Sequence, residues 1–264
     1  MTTTSFVEEF IEVGGAKIHL LKGGDGPPLL FLHSIDGNLG WLPWMEEVSK
    51  SATVYAPTHT GFGRSERPKF LESVSDMARF YLWMIQELKL DAVTLVGHFL
   101  GGWIAAEMAT MSPGSLGGLV LVDAAGVRPD TGEIADVFLL GEDETTRLSF
   151  HDAPSVPEYS DLFERELSTE ERELKIRGRE MTTRLCWKPY MYDRSLEWLL
   201  QRVDVPTTVV WGAEDRIIPP SAGNRIHEAI AGSVLEVVPG CGHLPHVEKP
   251  GEFSGMVLRH LVSD

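Results

Sequence analysis

The chain has 264 residues, 43% of them apolar, which is enough core for one large domain or one domain with an insertion and excludes a mostly disordered chain. Lys and Arg number 23 against 39 acidic residues, a formal net charge of −16 that repels phosphate backbones and anionic lipid and so excludes nucleic acid and membrane surfaces as expected partners. Two cysteines, Cys186 and Cys241, cannot build a disulfide framework, and no Cys-x-x-Cys spacing suggests zinc.

The opening residues carry neither the basic nor the apolar region of a secretory signal. No apolar run approaches the roughly 20 residues that span a bilayer. A reducing cytoplasm is the expected location. Alternating segments over residues 6–13 and 16–22, separated by Gly14-Gly15, predict an antiparallel hairpin with the glycines in its turn. Apolar runs at 28–33, 53–57, 92–98, 116–122, 207–212 and 234–238 read as buried parallel strands.

Helices are expected between those strands. The clearest covers 75–89, where Met77, Phe80, Tyr81, Met84, Ile85 and Leu88 recur at helical spacing behind a Ser73/Asp76 cap. Others start at Leu100 and occupy 221–230 and 252–262. Between 122 and 207 no strand-like run occurs; two helical patches, 132–148 and 160–185, are separated by Pro154 and Pro157. A structureless loop that long is improbable, so the expected organisation is a sheet domain of residues 1–125 and 203–264 with a helical cap over 126–202. Insertions after a strand's C-terminal end lie over the ligand site of such sheets. An ordinary pair of surface helices is the alternative reading.

The segment Leu95-Val96-Gly97-His98-Phe99-Leu100-Gly101-Gly102 runs from a strand into a helix through Gly-x-Phe-x-Gly. That arrangement holds its middle residue on a strained turn, with flanking positions lacking a Cβ so that strand and helix approach closely. Downstream, Asp215 follows one strand end and His243 lies in the loop after the next. Elbow, acid and histidine follow in the chain order of a hydrolytic triad, in which the acid fixes the imidazole tautomer.

These segments, with Leu32-His33, Ala56-Pro57, Gly61-Phe62-Gly63-Arg64-Ser65 and Leu121-Val122-Asp123, make the whole chain resemble the α/β-hydrolase fold family, in its branch with a helical cap. The resemblance implies an eight-stranded, mostly parallel sheet with flanking helices. It also implies an oxyanion hole from the backbone N–H groups of Ile35 and Leu100. It departs at Phe99, where the family carries Ser, or less often Asp or Cys, and at Ser34, where Gly is usual.

A phenyl ring has neither a lone pair to attack a carbonyl nor a proton for His243 to take, so acyl-enzyme chemistry at residue 99 is excluded. The oxyanion donors depend on main-chain geometry and survive that loss. His243 held by Asp215 can still serve as a general base. His33, Ser34, His98 and Trp103 are the expected substrate-binding residues, and Asp123 is expected to be structural.

Two functions follow. One is an enzyme of serine-hydrolase ancestry acting on a small apolar ester, amide or ketone without a covalent intermediate, or inactivated by the change at residue 99. The other is a non-catalytic ligand-binding protein that keeps the pocket. Neither needs a cofactor or metal, since no dinucleotide fingerprint, P-loop or metal spacing is visible. A small molecule is the expected partner, and a monomer or homodimer the expected state.

Overall fold

In the computed structural model, which describes residues 5–261, the chain opens as a hairpin of β1 (Phe6–Val13) and β2 (Ala16–Gly23). Next come β3 (Pro28–Leu32), α1 (Pro43–Val48), β4 (Thr53–Pro57), α2 (Val74–Glu87), β5 (Val93–His98), α3 (Leu100–Met111) and β6 (Leu116–Val122). A helical stretch follows with α4 (Glu142–Ser149), α5 (Thr169–Cys186) and α6 (Leu196–Leu199). The chain then returns to the sheet through β7 (Thr207–Gly212), α7 (Ser221–Ala229), β8 (Val234–Val238), α8 (Pro245–Glu248) and α9 (Pro250–Leu258).

The eight strands form one sheet in the order β1-β2-β4-β3-β5-β6-β7-β8. Only β2 runs against its neighbours; every other pairing is parallel. From β3 the chain steps to one side to form β4 and then crosses to the other side for β5. Strand order therefore reverses between β3 and β5, and the crevice beyond their C-terminal ends is where such sheets bind ligands.

Alternation along each strand divides the core. In β3, Leu30 and Leu32 join the cluster built with α2 and α3, while Leu29 and Phe31 join the one built with α1 and α9. The α2 cap forms as its sequence implies: Ser73 Oγ accepts from the Asp76 N–H, and the Asp76 carboxylate accepts from the Ser73 N–H.

Four local expectations change. The patch 132–148 is helical only from Glu142, because the Asp136 carboxylate captures the N–H groups of Phe138 and Leu139 in a turn. The patch 160–185 becomes a continuous helix only at Thr169, behind a Ser168/Glu171 capping box. The last helix starts at Pro250 and ends at Leu258, with Val262 outside the described residues. Helix α1 has no counterpart in the sequence reading, although Pro43 at its first turn is a start signal. Among the described residues, no helix is long and apolar enough to cross a membrane.

Candidate active site

Strand β5 delivers the chain to Phe99, which sits at φ 51° and ψ −106° before α3 begins. A bulky residue in that region costs roughly 1–3 kcal/mol and persists only when its surroundings impose it. They do: the Phe99 N–H donates to Val122 O at 3.0 Å, and Phe99 O accepts from Trp103 and Ala125. The neighbouring glycines leave no room for side chains, since a Cβ on Gly97 would lie 2.3 Å from Gly101 O. The elbow is thus intact, and its side chain is a phenyl ring that is only 2% exposed.

Two loops beyond β7 and β8 bring the dyad to that ring. His243 Nδ1 donates to Asp215 Oδ2 at 2.8 Å, and Asp215 Oδ1 accepts the N–H groups of Ile217 and Ile218 at 2.7 and 3.0 Å. With Nδ1 carrying the proton, Nε2 holds the lone pair of a base. That atom is buried and has no hydrogen-bond partner. The Phe99 ring stands edge-on to the imidazole, centroids 4.6 Å apart and planes at 87°.

Contacts from outside the sheet fix the histidine loop. The His243 N–H donates to Ser149 O at 2.7 Å, at the end of α4. The Glu248 carboxylate accepts from the Gly242 N–H through one oxygen and from His151 N–H through the other. Neither tie was legible in the sequence. Ser149 acts through its carbonyl, which leaves no side-chain signature, and Glu248 lies in an unremarkable acidic position of α8.

The remaining expected residues fall into two groups. Ile35 lines a cavity of about 1050 Å³ together with Phe62, Val137, Tyr159, Leu162 and Leu244, between the sheet and the helices that follow β6. Among the described residues, the N–H groups of Ile35 and Leu100 donate to no protein acceptor, as an oxyanion site requires. Ser34, expected to bind substrate, does not line the cavity: it closes its own turn, its Oγ donating to the Asp36 carboxylate and accepting the Asp36 N–H.

His33, His98 and Trp103 lie away from the cavity as buried supports. His33 Nδ1 donates to Ser34 O at 2.6 Å and its Nε2 accepts the His59 N–H at 2.7 Å, so both ring nitrogens are spent on holding the loop. His98 Nε2 donates to His243 O at 2.7 Å. Trp103 Nε1 donates to the buried Glu107. Phe99, His243 and Asp215 also lie outside the cavity lining, with the Phe99 ring packed against the imidazole. The nearest approach along the chain is Leu244, beside His243.

Among the described residues, His98, Asp123 and His243 place potential ligand atoms within 4.8 Å of one another. His98 Nε2 and His243 Nδ1 are already engaged in protein hydrogen bonds.

Burial dominates the electrostatics. Desolvation lowers His33 to about 4 and His246 to about 3, and holds His59 and His98 well below the ordinary imidazole range. These rings stay neutral when folded but take protons near pH 6.5 when unfolded. Below that pH the unfolded chain binds more protons, so stability falls as pH drops from about 6.5 toward about 4. Burial raises Asp123 and Glu107, which act in the opposite sense. Burial also lowers His19 and His260, so six imidazoles act against two carboxyls and the net effect is a loss of stability as pH falls from about 6.5 toward 5. Urea unfolding at pH 7 and pH 5 measures this, and a midpoint that is unchanged or higher at pH 5 contradicts it.

An eight-stranded, mostly parallel sheet with a strand–elbow–helix at its switch point defines the α/β-hydrolase fold. A family model described as alpha/beta hydrolase fold matches residues 27–250, and the chain belongs to that family. It is 30% identical to a 2-hydroxymuconate semialdehyde hydrolase of Pseudomonas sp. strain CF600, over 94% of this chain and 91% of that protein. A 1-acylglycerol-3-phosphate O-acyltransferase of Rattus norvegicus is 28% identical over 87% of this chain and 76% of its own length. Among solved structures, the 2-hydroxy-6-oxo-6-phenylhexa-2,4-dienoate hydrolase of Rhodococcus sp. strain RHA1 superposes with a TM-score of 0.79 at 19% identity, over 98% of this chain and 99% of that one.

Proposed function

We propose that this protein is an enzyme of serine-hydrolase ancestry that acts on a small, largely apolar ester, amide or ketone without forming a covalent intermediate. In this reading His243, held by Asp215, activates water or removes an acidic C–H proton. The N–H groups of Ile35 and Leu100 receive the developing oxyanion. Residues 126–202 act as a lid over the sheet domain of residues 1–125 and 203–264, and the cavity between them takes the substrate. The observation that carries the reading is the buried, partnerless Nε2 of a histidine whose other nitrogen is fixed by a carboxylate. The likeness to a semialdehyde hydrolase supports a carbonyl substrate. Two free, buried cysteines fit a reducing cytoplasm, and no cofactor enters the chemistry.

One observation favours a second reading, a ligand-binding protein without turnover: the Phe99 ring packs against the His243 imidazole, and neither residue lines the cavity. A panel of short-chain aryl esters and diketones tests both. Non-covalent catalysis requires measurable turnover that His243→Ala lowers by roughly 10²–10⁴-fold, while Phe99→Ala, which frees the space beside the imidazole, keeps or raises it. Saturable binding with no turnover in any of the three proteins supports the second reading and rejects the first.

A further inference from the structure

A second buried carboxyl, that of Asp123, lies beside the His243–Asp215 pair. Asp123 follows β6 at φ 41°, a left-handed conformation unfavourable for a residue with a Cβ, and its side chain is wholly buried. Its N–H donates to Val210 O at 3.0 Å, and its Oδ1 accepts the Gly212 N–H at 2.9 Å. These bonds fix the carboxyl at the ends of β6 and β7. Oδ2 is buried and receives no donor.

The groups that face Asp123 are the carboxyls of Asp215 and Glu248, the imidazoles of His98 and His243, and the Cys241 thiol. None is a permanent cation. Two ionised carboxylates side by side in such a place would carry an uncompensated buried charge. A carboxylate offers about four acceptor positions. At Asp215 three are filled, by the N–H groups of Ile217 and Ile218 and by His243 Nδ1–H.

We propose that Asp123 is a positioning residue: it stays a neutral carboxylic acid and donates its O–H to the Asp215 carboxylate. The pair then carries one negative charge, and Asp215 is clamped by four donors in the orientation that His243 needs. This explains why a non-glycine residue at positive φ is retained at the strand end, since the turn aims the acid across β7. Burial, followed by the nearness of Asp215, pushes the Asp123 carboxyl well above the usual carboxylate range. The inference rests on the dyad assigned above, but its test reads protonation and stability, so it stands or falls separately from turnover.

Asp123→Asn in the full chain keeps an acceptor for Gly212 and an N–H donor for Asp215. Infrared spectra at pH 7 are expected to show a protonated-carboxyl stretching band in the original protein that is lost in Asp123→Asn. In urea, the ratio of unfolding constants, original over variant, is expected to rise about tenfold per pH unit between pH 5 and 7, because only the unfolded Asp123 releases its proton there. A ratio that is flat or falls with pH, or a band unchanged by the substitution, overturns the proposal. Asp123→Leu removes donor and acceptor together. The far-downfield proton resonance of His243 Nδ1–H is expected to persist in Asp123→Asn and to broaden or vanish in Asp123→Leu; persistence in both rejects the positioning role.

Discussion

Phe99→Ser is expected to convert the protein into a covalently reactive serine hydrolase, labelled rapidly by a fluorophosphonate and turning over short-chain aryl esters at least about 10³-fold faster than the original chain. The backbone at residue 99 already has the elbow conformation, locked by Val122, Trp103 and Ala125. A serine Oγ would branch from the same Cβ as the ring that now abuts the imidazole at 4.6 Å. It would supply the hydrogen-bond partner that His243 Nε2 lacks. Removing the ring also frees the space beside the imidazole.

Stability moves the other way. Losing a buried phenyl ring costs about 3–5 kcal/mol, partly offset by the new hydrogen bond and by water entering a polar space. Soluble, folded Phe99→Ser that neither labels nor turns over esters would show that the dyad and oxyanion donors are not competent. Adding His243→Gln to Phe99→Ser should return both readouts to background, which separates elbow chemistry from labelling elsewhere.

The sheet was legible because buried parallel strands are short, continuous apolar runs between turns. Of the eight expected strands, those at 6–13, 53–57, 116–122, 207–212 and 234–238 match the observed bounds. The elbow and the His243–Asp215 contact were legible for a different reason. Their chemistry demands particular residue types just past strand ends, and strand ends were the best-placed features of the chain.

What escaped was whatever depends on side-chain direction or on main-chain donors. Nothing in the sequence says that His33 spends both nitrogens on its own loop and on His59, or that His98 points under the histidine loop rather than into the cavity. A buried histidine and a ligand-facing one look alike in one dimension. Asp123 shows the same limit. Its place after a strand is readable, but its pairing with Asp215 emerges only when β6 and β7 lie side by side.

A large effect on folding is expected at Gly101, and it explains why the elbow conformation persists with a phenyl ring at residue 99. A Cβ there would lie 1.9 Å from Leu32 O and 2.7 Å from His33 O, both backbone atoms of β3 and the loop after it. The Gly101 N–H also donates to His33 O at 3.0 Å, so α3 cannot back away without breaking that bond. Neither neighbour can swing aside as a flexible side chain would. Gly101→Ala is therefore expected to cost more than about 4 kcal/mol, which lowers Tm by roughly 8–16 °C or prevents folding. Gly255→Ala is the control: it lies on the exposed face of α9 with nothing near its Cβ position, and should stabilise by about 0.5–1 kcal/mol. Equal effects at the two positions would mean that α3 and β3 are not in the close contact described. If the contrast holds, the close packing of α3 against β3, rather than the side chain at residue 99, is what imposes the strained turn.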